Sequence, residues 1–225
     1  MKTDLNPATA KLIDKLMVEL TLEQKCSLLS GKTIWATVAI PEKGIGSVLV
    51  TDGPHGVRAD GEWEDRKVGP ATYFPTGVGT AATWNPALLH RLGEALAEET
   101  LAYGCDILLG PCVNIIRAPL GGRNFESYAE DPFLAGRLAV GWINGIQSKG
   151  VGASLKHFAC NNQELERMRG SSVVDERTLR EIYLAQFEYA VKESRHAWTV
   201  EPGEFEILAG ASSADVRARA TVLLD

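Results

Sequence analysis

The sequence of 225 residues lacks the features that mark several common classes of protein. No stretch approaches the roughly 20 consecutive apolar residues that a membrane-spanning helix requires. Acidic residues (29) outnumber basic residues (23), and the formal charge of −6 provides no basic surface for nucleic acid. No GxGxxG or Walker-type glycine loop follows a predicted strand, which disfavours a nucleotide-binding doubly wound sheet. We therefore expect no membrane segment, no nucleic-acid partner and no cofactor.

Cysteine is also scarce. The four cysteines have neither CxxC spacing nor the density of a disulfide scaffold, and they suggest no metal site. Cys105 and Cys160 adjoin apolar runs, so we expect them to be small buried thiols. The N-terminal stretch "MKTDLNPATAKLIDKLMVEL" is charged and amphipathic, without the apolar region of a signal peptide. Together these features predict a protein of the reducing cytoplasm.

Three apolar segments, "IGSVLV", "CDILLG" and "VGASL", have the pattern of buried strands. Amphipathic helices are predicted after them. Two are capped at Asn85-Pro86 and at Asp131-Pro132, and a third lies near "DERTLREIYLAQFEYAVKES". A capping box, "TLEQ" from Thr21, predicts an earlier helix that stops at Gly31. Continuous apolar strands that alternate with amphipathic helices indicate parallel βα units, and hence an α/β fold.

The pattern changes after residue 194. Apolar residues at 216, 218, 220, 222 and 224 largely alternate with polar ones, which is the period of a strand with one solvated face. Gly203 and Gly210 supply turn positions. We therefore predict a boundary that separates residues 1–194 from a short antiparallel β segment over residues 195–225.

Polar residues gather where the predicted strands end. Asp52 follows the first strand, Arg123 lies in the loop after the second, and Lys156 and His157 end the third. Each also has a simpler interpretation, such as a turn aspartate, a loop-holding pair of Arg123 with Glu126 or Glu130, or a solvated lysine. In a (β/α) barrel, however, residues just past the carboxyl ends of the strands form the active site. Their concentration at this edge favours a common site.

This set of hydrogen-bond donors with one carboxylate suits a hydroxyl-rich ligand such as a sugar. Aromatic side chains would add stacking platforms, and the candidates are Trp84, Tyr128 and Trp142. Trp142 lies on an amphipathic helix, and we expect it to pack into the core instead.

Longer motifs carry a family resemblance. "VTDGPHGVR", "FPTGVGTAATWNPALLHRLGEALAEE", "LLGPCVNIIRAPLGGRNFESYAEDPFLAG", "ASLKHFACNNQELER" and "DERTLREIYLAQFE" occur in that order. Over about residues 10 to 194 the chain resembles glycoside hydrolase family 3, most of all its β-glucosidase branch. "WTVEPGEFEILAGASSADVRARATVLL" resembles the end of the fibronectin III-like domain of the same enzymes.

The resemblance implies a partial TIM (β/α)8 barrel of about three βα units, followed by the short antiparallel β segment. It implies hydrolysis of terminal non-reducing β-D-glucosyl residues, with a β-glucoside or oligosaccharide as substrate. By this resemblance the residues that hold the non-reducing sugar are Asp52, Arg123, Lys156, His157 and Arg167. An N-acetylglucosaminidase of the same superfamily is disfavoured, because that branch resembles "KHFPGHG" where this chain has "KHFACNNQE".

The catalytic carboxylates of the family have no counterpart here. The sequence has no Ser-Asp-Trp motif for the nucleophile and no second domain for the acid/base glutamate. Asp52 and Glu164 could be nominated as a pair, but we expect Glu164 to hold its loop by pairing with Arg167 or Arg169. We therefore expect an internally deleted family 3 enzyme without catalytic residues and without activity. The alternative is a non-catalytic sugar-binding or interaction remnant.

Overall fold

A computed structural model of the chain describes residues 7–58 and 69–194, together with the backbone of residues 203–212 and 215–224. Helix α1 (Pro7–Glu19) is followed by helix α2 (Leu22–Leu28). The predicted capping box at Thr21 is confirmed, since the Gln24 backbone N–H donates to Thr21 Oγ1 and the Thr21 N–H donates to Gln24 Oε1. Helix α2 ends at Leu28, short of the predicted stop at Gly31.

Three short parallel strands form one sheet in the order β1 (Val50–Asp52), β2 (Ile107–Leu109) and β3 (Gly152–Ala153). Strands β2 and β3 lie within the predicted segments, whereas β1 shares only Val50 with the predicted segment 45–50 and extends beyond it to Asp52. Ile45 instead pairs with Ile40 across a short turn. The backbone N–H and C=O groups of Ile45 are therefore used locally, and strand β1 begins only at Val50.

Helices connect and cover these strands. The described helices after α2 are α3 (Gly77–Ala81), α4 (Pro86–Ala102), α5 (Pro132–Ser148), α6 (Glu176–Thr178) and α7 (Ala185–Glu193), with short 3-10 turns at Pro41–Lys43 and Asn124–Glu126 and a π-helical turn at Leu179–Tyr183. Both predicted caps are confirmed. Asn85 Oδ1 accepts from the Leu88 N–H at 3.1 Å, and Asp131 accepts from two N–H groups of the first turn of α5.

The core lies between the sheet and helices α4, α5 and α7. Trp142 is fully buried in it, as its position on an amphipathic helix predicted. Helices α4 and α5 approach so closely that a Cβ atom on Gly145 would lie 2.1 Å from the His90 carbonyl oxygen. Thr51 and Leu108 are buried on this side of the sheet. The side chains that alternate with them are only half-buried, and several line a cleft of about 330 Å³ beside β3.

Two further strands, β4 (Gly203–Ser212) and β5 (Asp215–Leu224), pair in antiparallel register, with Gly203 opposite Leu224. Residues 195–202 lie outside the described part of the chain. The predicted domain boundary and the likeness to a fibronectin III domain therefore stay predictions. Within the described residues, none of the helices has the length and apolar character needed to cross a membrane.

Candidate functional site

The ends of the three parallel strands converge on one cluster of polar side chains. Asp52 is the last residue of β1, and Lys156 follows β3. The Lys156 backbone N–H donates to the Pro111 carbonyl, which joins the segments that follow β2 and β3. Across β2, Lys156 Nζ donates to Asp52 Oδ1 at 2.5 Å. Two of the predicted site residues, 104 positions apart in sequence, thus form one ion pair.

The Asp52 carboxylate is held in its charged form. Partial burial would by itself raise the pKa of this group. The hydrogen bond and charge of Lys156, helped by the Gly53 N–H and the charge of Arg58, outweigh that effect and bring the pKa below its ordinary value. At neutral pH Asp52 therefore presents a fixed, charged hydrogen-bond acceptor. Arg58, which the sequence analysis did not single out, contributes to this field.

Arg123 and His157 form the second pair of the cluster. Arg123 Nη2 lies 2.8 Å from His157 Nε2, and because a guanidinium can only donate, Nε2 must be the acceptor. The ring proton is thereby assigned to Nδ1, which lies 3.1 Å from Asn114 Oδ1. Burial, together with the positive charges of Arg123 and Lys156, lowers the pKa of His157 to about 4. The imidazole is therefore neutral at neutral pH.

A buried carboxylate that the sequence analysis treated only as a loop partner supports this pair. Glu126 is 6% exposed and accepts a hydrogen bond from Arg123 Nε. It also lies 3.1 Å from the thiol of Cys112. Burial and the Glu126 charge raise the pKa of Cys112 well above its usual range, so the thiol stays protonated and donates. The pairing of Arg123 with Glu126 predicted for the loop is thus confirmed, and it coexists with the contact to His157.

Arg167 reaches the cluster only indirectly. Its Nη1 atom lies 3.2 Å from Glu164 Oε2, and the other oxygen of Glu164 lies 3.6 Å from Arg123 Nη1. The predicted pairing of Glu164 with Arg167 is therefore confirmed. The structure thus joins Asp52 with Lys156 and Arg123 with His157 directly, and it links Arg167 to them through Glu164.

Three side chains of the cluster have the right atoms for a metal ion. The ligand atoms of Cys112, Glu126 and His157 all lie within 4.8 Å of one another. His157 Nε2 already accepts a hydrogen bond from Arg123, however, so that lone pair is not free for an ion. The positive charges of Arg123 and Lys156 also lie close to His157. The electrostatics of the cluster therefore oppose a bound cation.

The three aromatic candidates for a stacking platform differ in their exposure to solvent. Trp142 is fully buried and Tyr128 is 5% exposed, so the prediction that Tyr128 could serve as a stacking platform was wrong. Its ring belongs to the same core cluster as Trp142. Trp84, in contrast, is 73% exposed.

The fold and the cluster define a class of protein: an α/β chain whose parallel strands end in a charged, hydrogen-bonding site. Its sequence places it more narrowly. Residues 42–200 match the model of the glycosyl hydrolase family 3 N-terminal domain. The chain belongs to glycosyl hydrolase family 3.

Relatives with known names agree with this assignment. The thermostable β-glucosidase B of Acetivibrio thermocellus is 50% identical over 194 residues, which are 84% of this chain and 25% of that protein. An exo-α-(1→6)-L-arabinopyranosidase of Bifidobacterium longum is 50% identical over 187 residues, 81% of this chain and 25% of the relative. The chain thus spans about a quarter of the length of these relatives.

Solved structures give the same result. β-Glucosidase 3B of Thermotoga neapolitana, in complex with α-D-glucose, superposes with a TM-score of 0.76 at 42% identity, covering 82% of this chain and 28% of that one. A β-glucosidase of Bifidobacterium adolescentis gives a TM-score of 0.73 at 51% identity, with coverage of 78% and 25%. The family resemblance stated from the sequence is confirmed. The sugar-binding roles of the five site residues stay predictions.

Proposed function

We propose that this chain carries the sugar-holding part of a β-glucosidase-type site and that, by itself, it binds terminal β-D-glucosyl groups without cleaving them. The observation that carries the proposal is the convergence of Asp52, Lys156, Arg123 and His157 at the carboxyl ends of the three parallel strands. The names of the β-glucosidase relatives support the substrate class.

The charges and hydrogen-bonding groups of the cluster suit a sugar. Asp52 offers a charged acceptor, and a hydrogen bond to a charged group contributes roughly 1.5–3 kcal/mol. The Lys156 ammonium has three N–H donors, of which Asp52 takes one, and the Arg123 guanidinium has five, of which Glu126 and His157 take two. His157 is neutral and fixed in one tautomer by its neighbours. Such fixed donors and acceptors discriminate hydroxyl positions without reorganising when the sugar binds.

The lack of cleavage follows from how the carboxylates are used. A retaining glycosidase needs a nucleophile and an acid/base about 5–5.5 Å apart, both able to reach the glycosidic bond. Asp52 is paired with Lys156. Glu126 is buried against Arg123, and Glu164 lies between Arg123 and Arg167. Each of these three carboxylates already balances a cation, so we assign none of them to catalysis.

We further propose that the three βα units are part of a TIM (β/α)8 barrel. The half-buried apolar side chains on the second face of the sheet support this, because a closed barrel would cover them. By the sequence likeness, residues 195–225 are proposed to derive from a fibronectin III-like domain. The four free cysteines are compatible with the proposed cytoplasmic location.

The first experiment measures binding and turnover on the full chain. Calorimetric titration of the unaltered chain with D-glucose should give measurable binding. Asp52→Ala should abolish this binding. Glu181→Gln, a control that changes a carboxylate in an exposed ion pair, should leave it unchanged. p-Nitrophenyl β-D-glucoside should release no nitrophenol above a buffer control. Turnover that survives rigorous purification and disappears in Asp52→Ala would contradict the proposed absence of catalysis. Absence of glucose binding would contradict the site itself.

A second substrate class is favoured by the arabinopyranosidase relatives, which match as well as the β-glucosidases do. L-Arabinopyranose lacks the hydroxymethyl group of D-glucose, so a site built for it would gain nothing from that group. Competitive titration decides between the two. Tighter binding of D-glucose supports the glucosidase proposal, and tighter binding of L-arabinose supports the alternative.

A further inference from the structure

A buried amide, Asn114, holds both the main chain and the ring of His157. Asn114 is 3% exposed, and its Nδ2 group donates to the His157 carbonyl at 2.8 Å. Its Oδ1 atom accepts from the His157 backbone N–H at 2.8 Å and lies 3.1 Å from Nδ1 of the ring. One side chain therefore makes three polar contacts with the residue that accepts a hydrogen bond from Arg123.

The backbone places Asn114 beside His157. The segments that follow β2 and β3 stay paired beyond the strands, because the Lys156 N–H donates to the Pro111 carbonyl and the Val113 N–H donates to the Lys156 carbonyl. Asn114 comes directly after Val113, and His157 comes directly after Lys156. This pairing brings the amide to His157 across 43 positions of the chain.

The orientation of the amide is fixed by its partners. A backbone N–H can only donate and a backbone carbonyl can only accept, so the amide oxygen must face the His157 N–H and the amide nitrogen the His157 carbonyl. Nδ1 of the ring lies near the same oxygen and must then carry a proton. Arg123 requires the same tautomer from the other end of the ring, since its guanidinium donates to Nε2.

An amide at this position holds the ring without charging it. Burial and the positive charges of Arg123 and Lys156 oppose protonation of the ring, whereas the carboxylates of Glu126 and Asp52 favour it. The Cys112 thiol also lies near, at 3.8 Å from Nδ1. A carboxylate in place of the amide would add a negative charge at hydrogen-bond distance and favour the imidazolium. An imidazolium has no lone pair at Nε2 and cannot accept from the guanidinium.

We propose that Asn114 is a positioning residue of the sugar site: its uncharged amide fixes the orientation and tautomer of His157, and His157 in turn aims the Arg123 guanidinium at the sugar. This inference rests on the proposed function and deepens it. Glu126 accepts from Arg123 Nε and His157 accepts from Nη2, so two contacts fix the plane of the guanidinium. Loss of the His157 contact would leave that plane held at one point only.

The first test follows the His157 ring by nitrogen-15 NMR on the full chain, with His157→Gln to assign its signals. In the unaltered chain the ring should be neutral at pH 7 and carry its proton on Nδ1. Asn114→Asp has nearly the same shape but a negative charge, and it should raise the pH at which the ring takes up its second proton by about 1–3 units. Asn85→Asp makes the same chemical change at an exposed helix cap, where aspartate caps as well as asparagine, and should leave these signals unchanged.

The second test measures the affinity for D-glucose by calorimetric titration at two pH values. In Asn114→Asp the affinity should fall about fivefold to tenfold between about pH 7.5 and pH 5, because protonation of the ring breaks its hydrogen bond with Arg123. The unaltered chain and Asn85→Asp should keep their affinity over this range. If Asn114→Asp does not fold, Asn114→Ala removes the amide without adding a charge and should give a mixture of both ring tautomers.

The outcomes separate this inference from the proposed function. A proton on Nε2 of His157 in the unaltered chain, or an unchanged protonation of the ring in Asn114→Asp, would overturn the inference. An affinity of Asn114→Asp that does not change with pH although the ring becomes charged would also overturn it, because the ring would then have no effect on the sugar. If the unaltered chain fails to bind D-glucose, the proposed sugar site is refuted, and the NMR measurements still decide whether Asn114 fixes the ring.

Discussion

Replacing Lys156 with methionine tests the electrostatic core of the site. Methionine has a similar length but no charge, and it would leave the Asp52 carboxylate partly buried without its cation. In the unaltered chain the side chains of Lys156 and Asp52 are 13% and 30% exposed and 2.5 Å apart. The variant should therefore be less stable at neutral pH.

The expected loss of stability in Lys156→Met follows from the partial burial of the ion pair. Removing one partner of a fully buried ion pair costs about 3–5 kcal/mol, whereas exposed pairs contribute little. With the carboxylate about a third exposed, solvent screening reduces the loss, and we expect about 2 kcal/mol for the charged hydrogen bond. The free energy of unfolding can be measured by urea titration with tryptophan fluorescence, provided that the transition is two-state.

The pH dependence of the unfolding free energy is a more specific test than its value at one pH. Because the folded-state pKa of Asp52 is lowered, its contribution is complete above the ordinary pKa and is lost as pH falls through the folded value. In Lys156→Met the burial effect is opposed only by the Gly53 N–H and the charge of Arg58, so the pKa of Asp52 rises relative to the unaltered chain and protonation destabilises the folded variant less. The stability difference between the two proteins should therefore be largest near pH 7 and shrink below about pH 4.

A matched control separates this effect from general loss of charge. Arg177 pairs with Glu181 at 3.0 Å, but its side chain is 83% exposed. Arg177→Met should thus change stability by no more than the measurement error. A stability loss in Lys156→Met that stays constant from pH 7 to pH 3, or no loss at all, would refute the reasoning.

Three other expectations concern packing and thiol chemistry. Trp142→Ala should lower the free energy of unfolding by about 3–5 kcal/mol, because the ring is fully buried, and a loss below about 1 kcal/mol in urea titration would contradict its place in the core. Gly145→Ala should destabilise by about 1–3 kcal/mol despite better helix propensity, since its Cβ would meet the His90 carbonyl; a thermal midpoint at or above the original would count against the close helix contact. With a disulfide reagent at pH 8, Cys26 should react rapidly and Cys112 only after unfolding, and early labelling of Cys112 would contradict its burial and raised pKa.

The local elements could be predicted because local chemistry specifies them. The capping box at Thr21 and the caps at Asn85 and Asp131 join groups two or three residues apart, so the sequence contains both partners of each bond. The gathering of Asp52, Arg123 and Lys156 was also predictable. Parallel strands bring their carboxyl ends to one edge of the sheet, so residues just past those ends must approach one another.

Long-range packing limited the remaining predictions. We predicted that the first strand begins too early in the sequence, because a pattern of apolar residues does not reveal that Ile45 pairs with Ile40. Tyr128 was considered as a sugar platform because its position after a strand suits a site, yet the ring is in the core. The ring contacts of His55 with Tyr73 and Phe125 were missed altogether, since the three residues come from separate stretches and none of them has a periodic signal.

The sequence by itself determined the family, the caps and the edge of the sheet where polar residues collect, because these depend on local bonds or on ordered motifs. Only the tertiary structure decided how those residues are used. The tautomer of His157 depends on Arg123, and the charge state of Asp52 depends on the balance between burial and Lys156. The protonation of Cys112 likewise depends on its burial and on the charge of Glu126. Such properties come from distances of a few ångströms between residues far apart in the chain, and from how much water the fold removes around them.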